Sequence, residues 1–145
     1  AVFMSSNLVG TPLALRHNVT HNKILHETVA IVIVETVEIP RVDSAQRVEI
    51  EEIGVGFWRV VMKYGFMDEP DIPRALREIN HPRLKFGSDI SYFLGRETLL
   101  ATEHPGMMLW RERLFVWMSR NAQTATHFFR IPPERVMEVG VQVEL

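Results

Sequence analysis

Apolar and polar positions alternate along this chain with periods that change every ten to fifteen residues. Ala1–Ser5 is a short apolar run of strand type. Gly10-Thr11-Pro12 then marks a turn, with Thr11 placed to cap a helix and Pro12 suited to its first turn. Leu15, Val19 and Leu25 recur among polar residues, which predicts an amphipathic helix over Pro12–Leu25. Thr28–Glu35 is β-branched and nearly continuous in apolar character, the pattern of a strand buried on both faces. Strand, helix and buried strand in that order predict a βαβ unit with parallel pairing.

The second half changes register. Val37–Gln46, with Pro40, Asp43 and Ser44, reads as a surface loop. Arg47–Ile53 alternates Val48 and Ile50 against Arg47, Glu49 and Glu51, as a half-exposed strand does. Gly54-Val55-Gly56 supplies a turn, and Phe57–Tyr64 is the returning strand of an antiparallel hairpin. Pro70 and Pro73 mark a helix start capped by Asp68 or Asp71, with Ile72, Ala75, Leu76 and Ile79 on its apolar face and Asn80-His81-Pro82 as its end. Asp89–Leu94 is a further strand. Met107, Trp110, Leu114, Trp117 and Met118 predict a helix over Gly106–Arg120 with Trp110 deeply packed, and Asn121–Phe129 a short second one. Pro132-Pro133 stops it, and Val136–Leu145 closes the chain as a strand. The expected architecture is α/β: one domain over residues 1–145, with a mixed parallel and antiparallel sheet of five or six strands flanked by helices.

Composition narrows the function classes. The chain has 145 residues, 46% hydrophobic and 23% charged, which is the balance of a soluble globular domain. A net charge of -2 gives no electrostatic footprint for nucleic acid or for an anionic membrane surface. The absence of cysteine removes disulfides, thiolate zinc sites and cysteine nucleophiles, and suits a reducing compartment. The longest apolar run, Val29–Val34, falls far short of the about 20 residues that cross a bilayer. The first residues are strand-like, lack a basic leader and carry no initiator methionine. They fit a piece of a larger protein or, equally, a processed start.

Candidate chemistry is sparse. His17 and His21 are four apart on the predicted helix, a spacing at which two imidazoles reach one metal. Asn18 stands where a catalytic Glu belongs and no third ligand is evident, so no metal site is expected and these residues, with Asn22 and Lys23, read as a polar helix face. Gly54-Val55-Gly56 joins two strands, whereas a phosphate loop links a strand to a helix. Ser88-Asp89 and Ser91 offer hydroxyls without a partnered histidine. Trp110, Phe115 and Trp117 read as core or interface, and Arg111, Glu112 and Arg113 as a solvated face. No catalytic residue, ligand-binding residue or cofactor is assigned, and the chain is not expected to be an enzyme.

Several segments in order carry a family likeness. They are Ala1-Val2-Phe3-Met4; His17-Asn18, His21-Asn22-Lys23 and Leu25-His26-Glu27; Tyr64-Gly65-Phe66-Met67, Glu69-Pro70-Asp71 and Pro73; Phe93-Leu94-Gly95-Arg96-Glu97; Trp110-Arg111-Glu112; and Phe128-Phe129-Arg130-Ile131-Pro132-Pro133 with Arg135-Val136. This set resembles the C-terminal cytosolic domain of the KUP family of potassium uptake transporters. The resemblance implies a regulatory or assembly domain at the cytoplasmic face of the cell membrane, following the last membrane helix of a transporter generally coupled to protons. It implies that the potassium-binding residues lie in the membrane part, and none is carried onto this sequence. Implied partners are that membrane domain, a second copy in a homodimer, and cyclic di-AMP, which inhibits some members, or another adenine nucleotide. A free-standing nucleotide- or second-messenger-binding α/β domain is the alternative.

Overall fold

In the computed structural model, residues 1–6, 8–100 and 125–144 are described, the side chains of 96–100 and 141–144 excepted. The elements are β1 (Val2–Ser5), α1 (Leu13–His17), β2 (Val29–Val37), β3 (Val48–Gly54), β4 (Phe57–Gly65), α2 (Ile72–Glu78), β5 (Tyr92–Leu100), α3 (Ala125–Phe128) and β6 (Val136–Glu144). One six-stranded sheet has the order β3-β4-β2-β1-β5-β6. Every neighbouring pair is parallel except β3 with β4. The expected mixed sheet is therefore present, and the hairpin supplies its one antiparallel edge.

The sheet is covered on both faces, as parallel strands require. On one face Val2, Ala30, Val32, Trp58, Val60 and Met62 pack under Ile72 and Leu76 of α2, with Leu84 and Ile131 completing the layer. On the other, Phe3, Val29, Ile31, Ile33 and Phe93 pack against Ala14 and Leu15 of α1. Phe3 and Phe93 stack with centroids 4.5 Å apart and planes 13° from parallel. Val29–Val34 of β2 lies between β1 and β4, central in the sheet, as its unbroken apolar run predicts.

α2 begins as its prolines announce. Of the two candidate caps, Asp71 is the cap: its Oδ1 accepts from the Arg74 N–H at 2.9 Å. Asp68 instead closes the loops after β2 and β4. Its Oδ2 accepts from the N–H groups of Val42 (3.0 Å) and Gly65 (2.8 Å) and lies 3.6 Å from Arg47. Those two backbone donors, ahead of the Arg47 charge, hold its carboxyl below the usual value.

The first helix departs from expectation. The regular α-helix stops at His17, and Asn18–Asn22 continue as a wider π-helical turn that ends at Lys23, φ 54°. Thr11 is not the cap: Pro12 stands there, with no side-chain bond to the helix. The cause is Asn18, which the sequence placed on a polar face but which turns inward. Its Nδ2 donates to the Ile24 carbonyl (3.0 Å) and its Oδ1 accepts from Asn22 Nδ2 (2.8 Å). The wider turn breaks the stripe, so Leu15 is buried while Val19 and Leu25 are exposed.

Two further boundaries move. β5 starts at Tyr92 and runs to Leu100, six residues beyond Leu94, because β6 pairs with it along its whole length. The Gly106–Arg120 helix, with Trp110, Arg111, Glu112, Arg113, Phe115 and Trp117, lies outside the described residues. So does the start of the Asn121–Phe129 helix, of which Ala125–Phe128 is helical.

Candidate functional site: a crevice between the two halves of the sheet

The strand order sets where a ligand could sit. From β1 the chain winds through α1 to β2 and on to β4; β5 and β6 lie on the other side of β1. Sheets wound in both directions open a crevice at the carboxyl ends of the strands where the direction reverses. The register shows the opening. β1 pairs with β5 only at Val2 with Tyr92 and Phe3 with Phe93. Past that point Met4 and Ser5 stay with β2, while Leu94 onward stays with β6.

The resulting cavity has a volume of about 590 Å³. Met4, Ser5 and Ser6 form its floor, Val9–Ala14 and Arg16 one wall, and Val34, Leu94, Gly95, Ala125 and Phe129 the rest. Gly10 turns the wall with φ 101°, a conformation L residues rarely adopt. Phe129 is tied to α2, since its carbonyl accepts from the Ile72 N–H at 3.2 Å. Apolar Met4, Val34, Leu94 and Phe129 line it together with the polar residues Ser6, Thr11 and Arg16. Such a mixture suits a small molecule with an apolar body and an acidic group. Among the described lining residues there is no carboxylate, imidazole or thiol to move a proton or attack a bond.

The residues singled out in the sequence lie elsewhere. His17 and His21 do come together, rings 5.3 Å apart, but no group of three or more potential ligands that could hold a metal is found among the described residues. His26 stands edge-on to Phe93 at 5.6 Å, and burial lowers its pKa, followed by the positive chain terminus. Gly54-Val55-Gly56 is the hairpin turn, and a Cβ at Gly56 would stand 2.5 Å from the Glu27 carbonyl oxygen. Asp89 pairs with Arg135, and the Ser91 carbonyl accepts from the Val2 N–H at 2.9 Å, at the end of the sheet opposite the crevice. The crevice leaves little mark on the sequence, because no glycine-rich loop follows Ser5. Its one readable trace was Gly10 between a strand and a proline-started helix.

Fold and site thus define a doubly wound α/β domain with a binding-type crevice. The chain belongs to the family described as the K+ potassium transporter C-terminal domain, which matches residues 1–145. It is 53% identical over 146 residues to a protein named "Probable potassium transport system protein Kup" from Myxococcus xanthus (strain DK1622), covering all of this chain and 22% of that protein. A protein named "Probable potassium transport system protein Kup 1" from Paramagnetospirillum magneticum (strain ATCC 700264 / AMB-1) is also 53% identical over 146 residues, with 100% of this chain and 23% of the relative covered. For a third, "Probable potassium transport system protein Kup 2" from Chromobacterium violaceum, identity is 47% over 146 residues, again all of this chain and 24% of the relative. The chain therefore spans less than a quarter of the length of these relatives and corresponds to their C-terminal part. No solved structure matches the chain. Among the described residues, no helix is long and apolar enough to cross a membrane.

Proposed function

We propose that residues 1–145 form one cytosolic domain that regulates, or helps assemble, a potassium uptake transporter coupled to protons, and that the domain neither transports potassium nor turns over a nucleotide itself. The observation that carries this reading is the match of the whole chain to the C-terminal part of proteins named as potassium transport proteins. Potassium needs a path through hydrocarbon, and nothing among the described residues is long enough to provide one. No residue of this chain is assigned to potassium. What the fold supplies is a body with two covered faces and a crevice, which can favour one transport state over another through differential contacts.

The crevice is the natural input. Cyclic di-AMP or another adenine nucleotide has the two parts the lining suits, a flat apolar base and an acidic group for Arg16. Calorimetry of the chain with cyclic di-AMP and with ATP tests this. Saturable heat that falls at least about tenfold in affinity for Arg16→Ala, the loss of one charge-assisted contact, supports a nucleotide input. Silence from both would leave protein contacts as the input and remove the nucleotide from the proposal.

A further inference from the structure

The end of the sheet opposite the crevice carries a group of exposed apolar side chains that the fold does not explain. Val55, at the tip of the hairpin, is 97% exposed. A tight turn asks for glycine, asparagine or aspartate there, and Gly56, with φ 77°, already meets the demand for a left-handed residue. A β-branched valine adds nothing to the turn. Ile53 precedes it and is also exposed. Ile24 and Leu25, which follow the left-handed Lys23, are both more than half exposed.

Backbone contacts bring these segments to one rim. The Val29 N–H donates to the Gly56 carbonyl at 2.8 Å, and Glu27 lies against Gly56. The Ala1 nitrogen donates to the Thr28 carbonyl at 2.8 Å, while the Ala30 N–H donates to the Ala1 carbonyl at 2.9 Å. Ala1 thus sits beside Thr28 and Ala30 at the start of β2, at the same end of the sheet as the hairpin tip, and Val2 behind it is fully buried. In the relatives, more than three quarters of the protein lies outside the matched part, and the match is to their C-terminal part. On the reading that this chain is such a C-terminal part, the polypeptide before Ala1 leaves the domain at this end of the sheet.

We infer that the rim formed by Ile24, Leu25, Ile53 and Val55 docks against the membrane-embedded part of the same polypeptide. The inference rests on the reading that this chain is the C-terminal domain of a transporter. The occupant follows from continuity: the covalent connection emerges at the end of the sheet that carries these side chains, so the preceding chain meets them at high effective concentration. Covering them removes apolar surface from water that the isolated fold leaves exposed. Ile39, Phe66 and Met67 are also exposed, but at the other end of the strands, away from that connection.

Cysteine accessibility in the full-length transporter tests the rim, helped by the absence of native cysteine in this chain. Val55→Cys, Leu25→Cys and, as internal reference, Phe66→Cys are each introduced into a background free of other cysteines. A polar maleimide is then applied to inside-out vesicles and to intact cells. Exposure alone predicts that Val55→Cys reacts at least as fast as Phe66→Cys, since the side chains are 97% and 62% exposed. Docking predicts that Val55→Cys and Leu25→Cys react at least about tenfold more slowly than Phe66→Cys, since thiol modification follows access. Equal rates, or a slower Phe66→Cys, overturn the inference. The side from which Phe66→Cys is labelled tests the cytosolic reading separately, because the rate ratio can be read from either side.

Discussion

Asn18 is a polar residue only 4% exposed, and its two side-chain hydrogen bonds determine how the first crossover ends. A buried amide without partners costs more than it contributes when satisfied. Asn18→Ala removes both bonds and leaves the Ile24 carbonyl and the Asn22 amide without them. Urea unfolding should show a loss of about 1–3 kcal/mol; no loss would mean that the π-helical turn is held by something else. Asp68 makes a pH-dependent contribution. Its native pKa lies below the ordinary aspartate value, so it stabilises the fold fully above that value and ceases to do so as pH falls through the lowered native one. Asp68→Ala should therefore destabilise at neutral pH and converge on the parent protein at strongly acidic pH. A difference that persists unchanged into acid would assign its role to packing rather than charge.

At the scale of elements, periodicity was legible wherever one face or both faces of a strand are apolar. Val29–Val34 announces a central strand, Arg47–Ile53 a half-exposed strand, and Pro70 with Pro73 a helix start. The first helix ends early because Leu15 and Val19, four apart, share a face only while the winding stays regular, and Leu25 lies beyond the left-handed Lys23 that ends the turn. A side chain turned inward, Asn18, changed the winding, and no local pattern records that a polar residue will find two partners. The consequence is measurable. Leu15→Ala should cost about 2–5 kcal/mol as a core truncation, whereas Val19→Ala should stay within about 0.5 kcal/mol as a surface change. Comparable losses at the two positions would restore the long amphipathic helix. The end of β5 lies beyond the expected Leu94 for a related reason: its length is set by pairing with β6, 44 residues away in sequence, and not by its own composition.

For the molecule as a whole, the βαβ start pointed to parallel pairing, but not to which side of β1 the later strands would join. That choice creates the crevice, so the candidate site depends on strand order and could not be read from any one segment. The family likeness, by contrast, was readable because it resides in short ordered segments, and the match over residues 1–145 agrees with it. Regulation of a transporter by this domain can be measured on the full-length protein. Deleting residues 1–145 from the full-length protein and measuring potassium uptake per molecule in the membrane, over a range of potassium concentration and pH, tests it most directly. Regulation requires altered uptake kinetics per transporter, with the protein still reaching the membrane. Uptake per molecule unchanged across all those conditions would contradict regulation, and a fall in membrane abundance alone would reduce the domain to an aid in assembly.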